Sequence, residues 1–328
     1  MSNQISNDIL TFVNFINQRL KQFIVFTLLE EHKDRWNAAV KMLEPCLPTL
    51  KRSGYIPKDS TFFPPLIGNQ CSIVISPHFS DVDWAVIFAY GNPFLNKDTI
   101  DNQDRDSHNK NKDNSSETKE EPKYTPLQPT ALTHSHFGKV PVIGPSVIKL
   151  LIGVHPGMTE TELINAINAK RKEGYNVFVL FPEAGVHCKS KIESNHKFWS
   201  TNVAPNDPFE YKELLYPRFT GYQCLVKALG TDLQYIVDIT LRYPFHKPWE
   251  VEFNYTNYPS IISFFSKKPN SVQCHTNIIN VNSRWESVIS KEWFIEKLWK
   301  PKEKLLRKWR KLEEQAHSGV NNTGDNQR

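Results

Sequence analysis

The chain has 328 residues, a mass of 38.0 kDa, 39% hydrophobic and 12% aromatic side chains, which allows the core of one large or two small domains and excludes a disordered chain. Its 40 basic and 35 acidic residues leave a formal net charge of +5, too mild an excess to call for nucleic acid but agreeable to anionic lipid surfaces. Five scattered cysteines, Cys46, Cys71, Cys188, Cys224 and Cys274, have neither zinc-site spacing nor the density of a secreted disulfide scaffold, and we read them as reduced thiols on the cytosolic side.

At the N-terminus no basic segment precedes an apolar run and a small-residue cleavage site, so no secretory signal is expected. The apolar run from Phe23 to Leu29 is far short of the roughly 20 residues that span a bilayer. Ile9, Phe12, Val13, Ile16, Leu20, Phe23 and Ile24 recur at helical spacing, which predicts an amphipathic helix. That face either packs on the protein's own core, the commoner use, or lies on a membrane as an interfacial anchor. Residues 1–69 are thus expected to be an N-terminal helical region and candidate membrane-surface anchor.

Residues 71–76 form the first strong strand candidate. The stretch near 97–133 is polar, charged and almost without apolar residues, which predicts a disordered insertion. Apolar periodicity over Glu160 to Lys172 predicts a helix; residues 176–181, 235–241 and 274–281 predict strands; Trp285 to about Glu314 predicts a long helix. A disordered tail is expected over 311–328. The alternation argues for an α/β domain over 70–310, a mixed sheet flanked by helices on both faces.

Three segments carry candidate chemistry. Ser76-Pro77-His78-Phe79-Ser80-Asp81-Val82-Asp83-Trp84 follows a strand directly, where α/β folds assemble sites. A carboxylate five positions after a histidine can accept the ring Nδ1–H and leave Nε2 to take a proton. A surface histidine beside a capping aspartate gives the same bare pattern more often. Phe181-Pro182-Glu183-Ala184-Gly185 ends another strand and reads by itself as a stop and turn. Pro217-Arg218-Phe219-Thr220-Gly221-Tyr222 sets an arginine ahead of a helix start, where an exposed cap is the ordinary reading.

Taken in order, these segments resemble the lysophosphatidate and lysophospholipid acyltransferases. The first is similar to that family's Ser-Asn-His-x-x-x-x-Asp-Trp signature and the second to the start of its Phe-Pro-Glu-Gly-Thr-Arg block. Pro217 to Tyr222 resembles a Pro-Arg-Thr-Thr-Gly-Phe stretch of the eukaryotic branch that includes lysocardiolipin acyltransferase. The strand Tyr235 to Pro244, the segment Pro259 to Pro269 and the helix from Trp293 to Leu306 fall in the same order. The resemblance implies a glycerophosphate-acyltransferase-like fold that transfers a fatty acyl group from acyl-CoA, a co-substrate, to the free hydroxyl of a lysophospholipid or related acceptor. It implies His78 as general base oriented by Asp83, no metal or other cofactor, and Glu183, Gly185, Lys189 and Arg218 in substrate binding. It places the protein at a membrane surface, the cytosolic face of the endoplasmic reticulum or a lipid droplet, or at a prospore membrane.

The departures are specific. Ala184-Gly185-Val186 replaces Gly-Thr-Arg, with His187 and Lys189 the nearby basic substitutes for the lost arginine. Pro77 stands where the family has Asn, and His155-Pro156 stands where an arginine is expected upstream. This divergence resembles acyltransferase-like proteins of budding yeasts implicated in spore-wall formation. It also opens an alternative, a catalytically weakened descendant that binds lipid in membrane or spore-wall formation. A hydrolase lacks support because no Gly-x-Ser-x-Gly elbow is present.

Overall fold

The computed structural model describes residues 49–53, 63–80, 83–84, 86–87, 124–125, 127–134, 150–252, 271–282 and 284–321. In chain order the strands are β1 (Thr49–Ser53), β2 (Leu66–Ile67), β3 (Cys71–Ile75), β4 (Tyr124–Thr125), β5 (Pro129–His134), β6 (Ile152–Val154), β7 (Val177–Leu180), β8 (Leu233–Arg242) and β9 (Ser271–Asn280). The helices are α1 (Glu160–Lys172), α2 (Lys189–Asn202), α3 (Phe219–Leu229), α4 (Trp285–Val288), α5 (Lys291–Phe294) and α6 (Lys300–Asn321), with a π-helical turn, Ile295–Trp299, joining the last two.

Seven of the described strands form one sheet in the order β1-β9-β8-β3-β7-β5-β6. β8 and β9 pair antiparallel, and every other neighbouring pair is parallel. Each residue of β3 and β7 is buried, as is β8 from Ile236 to Arg242. Side chains alternate across a sheet, so an unbroken buried run requires cover on both faces. That is why these strands read as continuous apolar runs rather than alternating ones. The fold is α/β, a mixed sheet flanked by helices.

Local chemistry sets the helix ends. Thr159 caps α1 in a capping box: its hydroxyl accepts the Glu162 N–H at 3.2 Å, and the Glu162 carboxylate accepts the Thr159 N–H at 2.7 Å. Acidic Glu160 and Glu162 in the first turn and basic Lys170, Arg171 and Lys172 in the last complement the helix dipole. Leu163 and Ile167 face the core. Helix α3 packs on α1, and a Cβ on its Gly221 would come within 3.3 Å of Leu180 and 3.6 Å of Leu132, so α3 also lies close over β7 and β5.

Several expectations change here. The end of the stretch near 97–133 expected to be a disordered insertion is structured instead: β4 and most of β5 fall within it, and Pro129, Thr130 and Ala131 of β5 pair with Val177, Phe178 and Val179. Polar flanks mask this short strand, which borrows its order from β7. Likewise β1, inside the presumed helical region 1–69, is an edge strand paired parallel to β9. The helix ending the chain is broken into α4, α5, the π turn and α6, and α6 runs past 311 to Asn321. Residues 9–24, 97–123 and 259–269 lie outside the described residues. Among the described residues, no helix is long and apolar enough to cross a membrane.

Cys71, Cys188 and Cys224 are free and buried, and Cys274 is buried. Burial pushes the Cys71 thiol up to about 11, which keeps it protonated and unreactive at neutral pH.

Candidate functional site

β3, β7 and β8 are adjacent and run parallel, so their carboxyl ends share one edge of the sheet, the usual place for a site in such folds. The chain leaving β3 brings His78 there, the chain leaving β7 brings Glu183, and the chain leaving β8 brings Tyr243.

His78 and Asp83 meet as their spacing suggests. The ring Nδ1 lies 3.1 Å from Asp83 Oδ2, with the imidazole 19% exposed and the carboxylate fully buried. The same Oδ2 accepts the backbone N–H groups of Phe79 at 2.7 Å and Ser80 at 2.8 Å, and Oδ1 accepts the Tyr243 hydroxyl at 2.5 Å. Four donors converge on one buried carboxylate, which satisfies it and fixes its orientation. A carboxylate only accepts, so the ring proton sits on Nδ1 and the Nε2 lone pair is left open. Nε2 meets no partner among the described residues. The imidazole is held flat by Phe181, stacked at 4.4 Å between centroids and 25° between planes. Tyr243 is not among the site residues expected from the sequence; it figures there only as the Tyr before Pro244 at the end of the strand Tyr235 to Pro244, 160 positions from Asp83.

Glu183, expected among substrate contacts, is buried and already occupied. Its Oε2 accepts the His78 N–H at 2.8 Å and its Oε1 accepts the Leu215 N–H at 3.0 Å. The carboxylate therefore buckles the His78 loop to the segment that leads into α3. That segment is held along its length by side chains. Glu303 accepts the N–H groups of Lys212, Glu213 and Leu214 at 2.8 to 3.1 Å, Asn195 accepts that of Tyr216 at 2.9 Å, and the Trp299 indole donates to Leu215 O at 2.9 Å. Arg218, at the end of this braced run, donates its backbone N–H to Pro182 O at 2.7 Å.

The basic substitutes sort differently from expectation. His187 is buried, with its ring edge on Phe79 at 4.4 Å and its Nε2 2.6 Å from Glu183 Oε1 outside hydrogen-bond geometry; it is not placed to meet a ligand in solvent. Lys189 is exposed at the start of α2 and is fixed only through its backbone N–H, which donates to Val251 O at 2.9 Å. Lys191, one turn into α2, instead shares a cavity of about 450 Å³ with Arg218, Ser194, Phe198, Tyr216 and Thr220, and Glu183 forms part of its wall. A Cβ on Gly185 would stand 3.6 Å from the Lys191 stem. Lys191, two positions past the expected Lys189, carries nothing in the sequence that sets it apart from its neighbours. Ala184 is in the left-handed region at φ 54°, a conformation that costs an L-residue roughly 1–2 kcal/mol and that a glycine adopts freely.

Among the described residues, no group of three or more His, Cys, Asp or Glu side chains is placed to hold a metal ion. The arrangement can hold a proton acceptor in a fixed tautomer beside a cationic cavity.

The sequence matches no protein-family model and no curated protein. Among solved structures the chain is similar to the crystal structure of the 1-acyl-sn-glycerophosphate (LPA) acyltransferase PlsC from Thermotoga maritima, at 11% identity and a TM-score of 0.47, over 94% of this chain and 98% of that one.

Proposed function

We propose that the protein is an O-acyltransferase that moves a fatty acyl group from acyl-CoA to the free hydroxyl of a lysophospholipid or related acceptor at a membrane surface. The observation that carries this reading is the oriented pair: His78 with its proton fixed on Nδ1 by Asp83 and its Nε2 open at the carboxyl ends of three parallel strands. Nε2 takes the acceptor's hydroxyl proton as the oxygen attacks the thioester carbonyl. The tetrahedral intermediate then expels the CoA sulfur, which receives that proton from His78. The thioester is already activated, so general-base help of about 10²–10⁴-fold is the contribution asked of the pair. Lys191 and Arg218 bind the anionic head group of the acceptor in place of the arginine that Val186 replaces, Arg218 by its planar fork.

The test is incubation of the purified full chain with labelled oleoyl-CoA and a panel of lysolipids. A labelled diacyl product establishes the class and identifies the acceptor. Absence of product with every acceptor, from a folded chain that still binds lysolipid, would leave the lipid-binding alternative in its place. With a responsive acceptor, Lys191→Ala and Arg218→Ala are each expected to raise KM about tenfold, the loss of one charge-assisted hydrogen bond, with kcat little changed. An unchanged KM in both variants removes the head-group assignment.

A further inference from the structure

We propose that Lys302 is a positioning residue for the His78–Asp83 pair, its ammonium tying the end of β3 to the neighbouring β8, the two strands whose continuations carry His78 and Tyr243 to Asp83. Lys302 comes from α6, far along the chain, and its side chain is 1% exposed. Its Nζ donates to Ile239 O of β8 at 2.6 Å and to Ile75 O of β3 at 3.2 Å, and it pairs with the carboxylate of Asp238. Two of the ammonium's three N–H donors are met by these carbonyls, and the Asp238 carboxylate balances its charge as an ion pair outside hydrogen-bond geometry.

The placement is what matters. Ile75 and Asp238 are register partners across β3 and β8, and Ile75 is the last residue of β3. Three positions after Ile75 comes His78, and four positions after Ile239 comes Tyr243. Those two side chains bind opposite oxygens of Asp83. One ammonium therefore holds the last carbonyl of β3, from which the His78 loop springs, to Ile239 inside β8, three residues before that strand ends and just where the ladder can no longer align β3 with β8.

A buried ion pair is a poor way to obtain stability alone, since well-packed apolar residues of the same volume hold a sheet as well or better. Burial pushes the Lys302 ammonium below and the Asp238 carboxyl above their ordinary values, each opposed by its partner. What such a pair supplies beyond packing is a fixed geometry of the backbone atoms it binds.

The test uses the full chain with Lys302→Met and Asp238→Asn together, so that neither charge is left buried alone. Histidines are labelled with nitrogen-15, and the His78 Nδ1–H signal is assigned by its loss in His78→Gln. The wild-type signal is expected at low field, as for a proton shared with a carboxylate. In the double variant it moves toward the position of a free imidazole while the thermal midpoint stays within a few degrees. The acyl-transfer reading enters only the kinetic arm, where kcat falls about fivefold with KM unchanged, a modest loss of alignment. The signal decides: a folded double variant with the wild-type Nδ1–H resonance overturns the positioning role, and a double variant that cannot fold overturns it as well, because the pair would then serve the fold as a whole. If the wild-type chain transfers no acyl group, the function falls while the resonance still answers for Lys302.

Discussion

His78→Ala is expected to lower acyl transfer by about 10²–10⁴-fold, the range for removal of a positioned general base, with the thermal midpoint nearly unchanged. The side chain is partly exposed, and its loss leaves Asp83 with three of its four donors, the N–H groups of Phe79 and Ser80 and the hydroxyl of Tyr243. Asp83→Asn behaves differently. The amide offers one acceptor where the carboxylate offered two: its oxygen keeps the three N–H donors, its NH₂ makes the Tyr243 hydroxyl an acceptor whose own proton is left unmet, and the negative charge that steadies the imidazolium formed in proton transfer is lost. Activity falls as in His78→Ala, and stability falls with it by about 1–3 kcal/mol, the cost of leaving one buried donor unmade. Purified variants assayed for labelled product and melted in parallel separate the two. A His78→Ala protein that acylates at the wild-type rate removes His78 from the chemistry.

What was legible in the sequence follows from the range of the interactions. β3, β7 and β8 announced themselves because burial on both faces forces continuous apolar runs, β9, whose burial alternates, by its β-rich residues from Cys274 on, and α1 because its cap, its dipole charges and its apolar spacing agree. The His78–Asp83 pair was legible because its members are five positions apart and follow a strand. Tyr243 and Lys302 were not: each reaches the site across more than a hundred positions, and an isolated Tyr or Lys carries no local sign of that partner. β5 stayed hidden in a polar stretch since its pairing with β7, not its composition, orders it. His187, expected as a basic substitute, is buried instead, because proximity along the chain says nothing about which way a side chain points after a tight turn. Lys191, four positions on, is the one that faces the cavity.

Glu183 tests the same distinction between touching substrate and building the site. Glu183→Gln keeps volume and shape, but its single carbonyl oxygen can serve only one of the two N–H groups that the carboxylate now accepts, those of His78 and Leu215. The other is left buried against an NH₂ group, a loss of about 1–3 kcal/mol. At about 1.5 °C per kcal/mol for a chain of 328 residues, the thermal midpoint drops by about 1.5–4 °C. The His78 loop and the run into Arg218 are then no longer held to each other, so the proton acceptor and the cationic cavity lose their relative placement. A drop in kcat of about tenfold or more is expected with KM little affected, because misplacement of about an ångström costs that much or more. A substrate contact gives the opposite pattern, KM raised while the midpoint holds, since the side chain would be exchanging a ligand for water rather than leaving a backbone donor unmet. Differential scanning calorimetry beside steady-state kinetics on this one variant reads both quantities. An unshifted midpoint with a raised KM would return Glu183 to the substrate-binding role first expected of it and would leave the buckle between β3 and α3 without its function.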